Sequence, residues 1–476
     1  MVAKGRKAMG SGYVVDDLAE FVVGARPSDL SPRSRALLKR NVLDSVACAI
    51  GALGGELIGT IREHTEQFSG TTSATLVGGG RASVDQAAFF NTVLVRYPDL
   101  LDTYLTVGGL CHPADNFGAV LAVAEHAGAD GADFLLALAV AYEVQCRFSA
   151  KVPVMARGLN HALQLAMSVA AGSARLLGLD AADTANAIAA ATVDNVSLAA
   201  VHAEPVSAWK GISPAITGMR AVYTTILAGR GITGPRSLFD GPNGLVQLFG
   251  QPIDFDTADR RLSAVEQTYL KKYCALIHGQ AIIEALLTIR SDHDLTGDDV
   301  EKVTIEVFQT AYDIAGGGTY GSKDHPETKE QADYNLKYLS AVALLDGGVG
   351  PEQLETERVL CSDVQQLLAR VQVVAAADLT ANYPGRTAVR VQVRTRDGRE
   401  FDCEESDYEG SPTRPMSWDR VVEKFHWLAE PCCDRSLRAD IVTAVEHIEQ
   451  IPVGELTGLL GAASPAPRRP RGRARF

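Results

Sequence analysis

The chain has 476 residues, a formal charge of −13, 46% hydrophobic and 22% charged side chains. That composition is globular rather than disordered, and its length suits two to three domains. The acidic balance argues against nucleic acid or an anionic membrane as partner; an anionic substrate would need a locally basic pocket.

The first residues, "MVAKGRKAMGSGYVVDDLAEFVV", are basic but lack a long apolar run, and an Asp pair follows early. They read as neither a secretory signal nor a mitochondrial presequence. From about residue 14 to 250 the pattern is helical. "VDDLAEFVVGA" and "SPRSRALLKRNVLDSVACAIGAL" place apolar residues at three-to-four spacing, and Ser31 before Pro32 predicts an N-cap with proline at the first helical position. "GAVLAVAEHAG", "GADFLLALAVAYEVQCRFS", "HALQLAMSVAAGSARLLGL" and "GISPAITGMRAVYTTILAGRGITG" continue it, rich in Ala, Gly and Ser. Small residues let helices approach closely, so a large all-helical domain is expected over residues 1–265. The longest apolar run, near "FLLALAVAY", is well short of the roughly 18 residues that span a bilayer.

Near residue 265 the texture changes. "KVTIEVFQTAY" (302–312) and "TAVRVQVRTRDGREFDCEES" (387–406) alternate and are β-branched, as half-buried strands are, and Asp397-Gly398 suits a hairpin turn. With helical segments between them, a smaller α/β domain is expected over 266–410. The chain then returns to the helical body over 411–462, and the Pro- and Arg-rich residues 463–476 form a disordered basic tail. The fold class is therefore mostly α with a smaller α/β domain.

The eight cysteines are scattered without CxxC spacing, which fits a reduced, cytoplasmic protein and no iron–sulfur cluster. There is no HExxH, no histidine pair at one-turn spacing, no EF-hand, no GxSxG elbow and no Walker loop, so no metal is expected. What remains is a mixture of Asp99, Asp102, Thr103, His112, His161, Lys210, Lys271, His278 and Tyr312 in segments of loop-to-helix character. Such a mixture suits proton abstraction beside a carboxylate. The C–H is weakly acidic, so cationic lysines must neutralise the carboxylates and an acid must assist a leaving hydroxide.

Several ordered blocks, "DLLDTYLTVGGLCHPADNFGAVLAVAE", "GADFLLALAVAYEVQCRF", "WKGISPAITGMRAVYTTILAGRGITGP", "LKKYCALIHGQAIIEALL" and "HPETKEQADYNLKYLSAVALLDGG", resemble the MmgE/PrpD family over nearly the whole chain. The family holds 2-methylcitrate dehydratase, cis-aconitate decarboxylase and iminodisuccinate epimerase. The resemblance implies a large helical domain with a smaller α/β lid domain, a homodimer, and a cofactor-free site between the two domains. Its Asp-x-x-Asp-Thr segment falls on Asp99 and Thr103, its His-Pro histidine on His112, and the histidine opening the next long helix on His161. Its lysines fall on Lys210 and Lys271, with Lys272 as the alternative register, and a lid tyrosine on Tyr312; His278 belongs to the same region.

On this reading His112 transfers the proton at carbon, with His161 as complementary acid. Asp99 orients His112 or binds a substrate hydroxyl, Lys210 and Lys271 hold carboxylates, and Tyr312 donates from the lid. The bland alternatives are helix capping for Asp99 and Thr103, and a strand-face aromatic for Tyr312. Cys274 and Leu276 depart from the family pattern beside Lys271 and bear on selectivity. The Thr103–His112 spacing resembles the dehydratase branch. The implied activity is dehydration of 2-methylcitrate or a related alkylcitrate, with cis-aconitate decarboxylation, imino-diacid epimerisation and carboxylate binding without turnover as alternatives.

Overall fold

The computed structural model describes residues 12–106 and 109–465. Most of the expected basic tail therefore lies outside the described residues. The helical body is built from α1 (Pro32–Gly51), α2 (Val84–Arg96), α3 (Asp115–Ala127), α4 (Gly131–Lys151), α5 (Ala162–Leu176), α6 (Ala181–Val193) and α7 (Trp209–Ala228), with shorter helices around them. Ser31 caps α1 as expected, its hydroxyl accepting from the Ser34 amide at 3.0 Å with Pro32 in the first turn. Asp130 and Asp180 do the same for α4 and α6.

Small residues set the interhelical distances. α2 packs against both α3 and α7, and a side chain at Gly118 of α3 would meet the Thr92 amide of α2 at 2.4 Å. The close approach lets buried α2 carry polar residues into the interior at its C-terminal end. The body also holds two ribbons that helical periodicity does not reveal. One pairs β1 (Ala74–Thr75) with β2 (Arg81–Ala82), the other β3 (Tyr104–Thr106) with β4 (Gly109–Cys111). The second ribbon occupies the stretch between Thr103 and His112. It brings the two residues together, and its tip, 107–108, lies outside the described residues.

The smaller unit is a four-stranded sheet of order β6-β5-β7-β8, made of β5 (Val300–Val307), β6 (Val371–Ala375), β7 (Val389–Thr395) and β8 (Glu400–Glu405). β5 runs parallel to β6 and antiparallel to β7. Gly398, at a φ of 86°, supplies the left-handed turn residue between β7 and β8. Two helices, α8 (Gln280–Asp292) and α9 (Leu336–Asp346), pack against each other and against the sheet. The strand expected over 302–312 ends at Val307; Gln309–Ala311 and Tyr312–Gly316 are helical, the latter a π-turn. After the sheet the chain returns to the helical body, where α10 (Trp418–Ala429) lies along α1. No described helix is long and apolar enough to cross a membrane.

Candidate active site

The polar segment after α2 is held by a backbone pairing with a residue far along the chain. Thr103 and Tyr269 exchange both amide–carbonyl hydrogen bonds, at 2.9 and 2.7 Å. This sets Lys271, two residues on, beside Asp99. Asp99 takes the left-handed region at φ 49°, which Asp tolerates better than most residues. Asp102 fastens the segment from the other side. Its carboxylate accepts from the Ala114 amide at 2.8 Å, the Tyr142 hydroxyl at 2.8 Å and the Asn41 amide at 3.0 Å. Burial pushes the Asp102 carboxyl up to about 7 despite those donors. Neither Asp99 nor Thr103 caps a helix, since the N-cap position of α3 is Ala114.

His112 is oriented by the backbone. Its Nδ1 lies 2.7 Å from the Asp102 carbonyl and 3.2 Å from the Thr103 hydroxyl. A carbonyl only accepts, so the contact assigns the proton to Nδ1 and leaves Nε2 with a free lone pair. Asp99, expected to orient His112 or bind a substrate hydroxyl, is engaged with lysines. The His112 ring meets His161 edge-on at 5.1 Å, His161 stacks on His202 at 6.5 Å, and His202 on Tyr334 at 5.4 Å. All three histidines are buried. Burial, then the charge of Arg96, pulls the His112 imidazole well below its usual range, with His161 and Lys271 adding to it. Burial also lowers His161, partly offset by Asp115, and lowers His202 strongly. At neutral pH these are neutral bases.

The lysines form a lattice with two aspartates. Lys271 Nζ donates to the Asp99 carboxylate at 2.6 Å and to its carbonyl at 2.9 Å, while Lys210 reaches the other Asp99 oxygen at 3.3 Å. Lys210, in the first turn of α7, also pairs with Asp333, which Lys329 holds at 2.9 Å, and lies 4.0 Å over the Tyr334 ring. Burial alone would raise the Asp99 carboxyl. Lys271, Lys210 and Arg96 reverse that and hold it well below its usual range, so it stays ionised. Behind the lattice, Lys424 of α10 donates to the Lys271 and Leu100 carbonyls and pairs with Asp44 of α1.

Asp99, Thr103, His112, His161, Lys210 and Lys271 are thus gathered in one buried cluster. Lys272 is not: its Nζ pairs with Glu284 at 3.1 Å and Glu409 at 3.8 Å. Tyr312 lies in the π-turn after β5 and lines a pocket of about 330 Å³ with Gly316, Gly318, Lys323 and Lys337. Lys323 pairs with Glu204.

His278 is buried edge-on to Phe308 at 5.1 Å and Tyr383 at 6.0 Å, with neither ring nitrogen hydrogen-bonded. Burial, reinforced by Lys271, pushes its imidazole down to about 3. The unfolded chain therefore takes up this proton first as pH falls. The associated stability is fully present above the unfolded value of ~6.5 and is lost as pH drops towards the folded one. Between pH 7.5 and 5 the wild type is expected to lose about 2 kcal/mol more than a His278→Phe variant. Urea midpoints at the two pH values check this; parallel losses would refute it.

Sequence reading missed Arg96, Asp115, His202, Asp333 and Tyr334, all buried in the cluster. Arg96 is the last residue of α2, three before Asp99, and Asp115 lies three after His112 inside a quoted block; only that nearness pointed to them. Among the described residues, no three of His, Cys, Asp and Glu are placed to hold a metal ion.

Residues 16–258 match the model of the MmgE/PrpD N-terminal domain and residues 273–450 that of the MmgE/PrpD C-terminal domain. Over 467 residues the chain is 23% identical to cis-aconitate decarboxylase of Mus musculus, covering 92% of this chain and 91% of that protein. Over 450 residues it is 26% identical to 2-methylcitrate dehydratase of Escherichia coli, covering 88% and 91%. Over 480 residues it is 23% identical to the cis-aconitate decarboxylase-like protein oryM of Aspergillus oryzae, covering 94% and 97%.

Proposed function

The chain belongs to the MmgE/PrpD family, and from that membership we propose that it is a lyase removing water from 2-methylcitrate or a related alkylcitrate by side-chain acid–base chemistry alone. The observation that carries this reading is His112: neutral, with Nδ1 committed to a carbonyl and Nε2 free, beside a lattice of buried cations. In the proposed step Nε2 takes the proton from the carbon next to a carboxylate. Lys210 and Lys271 hold two of the substrate carboxylates and stabilise the negative charge that builds on the one next to that carbon. The neighbouring hydroxyl leaves as water with a proton from His161, which the bound substrate carboxylates and Asp115 bring into its protonated form against the effect of burial, and the electron pair of the broken C–H bond becomes the alkene. Asp99, held ionised by the lysines, accepts a hydrogen bond from the substrate hydroxyl. Because His112 is held neutral, the acid limb of kcat/KM is expected below pH 6.5. A limb above pH 7 would count against His112 as the base.

Decarboxylation of cis-aconitate is the second reading, favoured by the likeness to the mouse enzyme over 92% of this chain and 91% of that protein. There the same cations hold the acid, and a histidine protonates the carbon after carbon dioxide departs. Proton NMR of the purified protein in D2O with a chelator separates the readings. Conversion of the methyl doublet of 2-methylcitrate to the singlet of a methyl on an alkene carbon supports the dehydratase, and itaconate from cis-aconitate the decarboxylase. Deuterium exchange alone fits an epimerase, and silence with a folded sample overturns both readings. The reading also places the chain in the reducing cytoplasm, where its free cysteines would stay thiols.

We further propose a homodimer through the outer face of α7. Trp209, Ile212, Ile216, Met219 and Tyr223 recur there at three-to-four spacing, flanked by exposed Val196 and Leu198. This exposes on the order of 500 Å² of apolar surface, the upper end of what monomers leave uncovered and over half of one side of a standard interface. Light scattering is expected to give twice 50.6 kDa, and Tyr223→Glu a monomer. A wild-type monomer at micromolar concentration would refute this.

A further inference from the structure

The interior holds a cation whose terminal nitrogens have an ion-pair partner but no hydrogen bond. Arg96 is buried at the C-terminal end of α2, and neither of its terminal guanidinium nitrogens has a hydrogen-bond partner. Its nearest acid, Asp115, stands 3.7 Å away, beyond hydrogen-bonding distance. Both oxygens of Asp115 are likewise without a hydrogen bond. So is Nε2 of His161, 3.5 Å from Asp115, and so is Nδ1 of His202, the next ring in the stack. Burying one such group unsatisfied costs a kcal/mol or more, and charged groups cost most. Four side chains in one neighbourhood thus carry polar atoms that no protein group meets, the chemistry of a site for a polar ligand.

What fits is decided by the donors. A guanidinium offers two parallel N–H groups at the spacing of carboxylate oxygens, which an ammonium cannot do. Lys210 and Lys271 differ in kind: both are already committed to aspartates, so they supply fixed positive charge more than open donors. We propose that Arg96 grips a third substrate carboxylate, one that a dicarboxylate lacks, through both terminal nitrogens, with Asp115 and His161 completing that subsite. The inference rests on the reading above, in which Lys210 and Lys271 face the other two carboxylates.

The subsite also links binding to proton transfer. The Arg96 charge opposes protonation of His112, His161 and His202. A carboxylate on Arg96 cancels that charge and leaves Asp115 to His161 alone. An anion facing an imidazole favours its protonated form, which is the form needed to release the hydroxyl as water. Arg96 thus makes the acid available only when the third carboxylate is in place.

Calorimetric titration tests this with two inert ligands that differ by one carboxylate, propane-1,2,3-tricarboxylate and glutarate. Wild type is expected to bind the tricarboxylate more tightly. Arg96→Gln is expected to lose about 100-fold for the tricarboxylate and less than about threefold for glutarate. Arg96→Lys, with charge but no fork, is expected to recover about tenfold of the loss at most. Equal losses for both ligands, or none, would overturn the role of Arg96 while leaving the carboxylate site standing. Wild type binding neither ligand would overturn the site itself, and this inference with it. If Arg96→Gln does not fold, a crystal structure of wild type with the tricarboxylate decides: a carboxylate on both terminal nitrogens supports the assignment, and its placement elsewhere refutes it.

Discussion

His112→Asn is expected to lower kcat about a thousandfold while leaving the protein folded. Asparagine keeps an N–H near Nδ1, so the 2.7 Å contact to the Asp102 carbonyl has a replacement donor and the ribbon stays anchored. What vanishes is the Nε2 lone pair, the only part of the ring the proposed step uses for proton abstraction. General base catalysis contributes roughly 10²–10⁴ in rate, and a buried site offers water no easy way to substitute. KM should change little, because the carboxylates rest on Lys210, Lys271 and Arg96. Steady-state kinetics on the substrate identified by NMR, with thermal unfolding as control, would measure it. A variant retaining a tenth of the wild-type kcat would remove His112 from the base role.

Lys424→Met is expected to destabilise the protein by about 3–5 kcal/mol, the usual loss when one member of a buried pair is removed. Lys424 Nζ donates to Asp44 at 2.6 Å, to the Lys271 carbonyl at 2.7 Å and to the Leu100 carbonyl at 3.2 Å. Both side chains of the ion pair are essentially without solvent contact. Methionine leaves Asp44 charged and alone, and burial already pushes that carboxyl upward. The companion variant Lys424→Met/Asp44→Leu removes both charges and is expected to regain most of the stability, since a packed apolar pair is often as stable as a buried ionic one. It is not expected to regain activity. The two carbonyls that Lys424 held flank Asp99 and carry Lys271, so their release blurs the site without altering any residue in it. Chemical denaturation and kcat on both variants test the separation. Recovery of stability and activity together would make Lys424 a structural residue only.

Features governed by neighbours along the chain were legible in the sequence. Ser31 before Pro32 caps a helix, and Asp397-Gly398 turns a hairpin. Legibility failed where local cues ran together. The alternation of "KVTIEVFQTAY" carried the strand expectation five residues past Val307, because Phe308, Ala311 and Tyr312 continue the apolar texture inside helical turns. β6 went unread because its five residues run into the Ala-rich "AAADLTAN". In the site, a resemblance pointed to residue types at matching positions, whereas their partners are set by the tertiary fold. Asp99, read as orienting His112 or binding a substrate hydroxyl, lies against Lys271, 172 residues away, because Thr103 and Tyr269 pair through their backbones. Arg96 and His202 belong to no spacing motif, so only packing brings them to the histidines.

The Lys424–Asp44 pair joins residues 380 positions apart. A ribosome must therefore have passed residue 424 before the carbonyls around Asp99 are pinned and the cluster is complete. Until then the growing chain has its histidines and lysines but not their arrangement. Contacts of such long sequence separation also form late and slowly. A nascent or interrupted copy is in this way spared any chemistry on the acids of its cell, and catalytic competence itself certifies that translation reached α10.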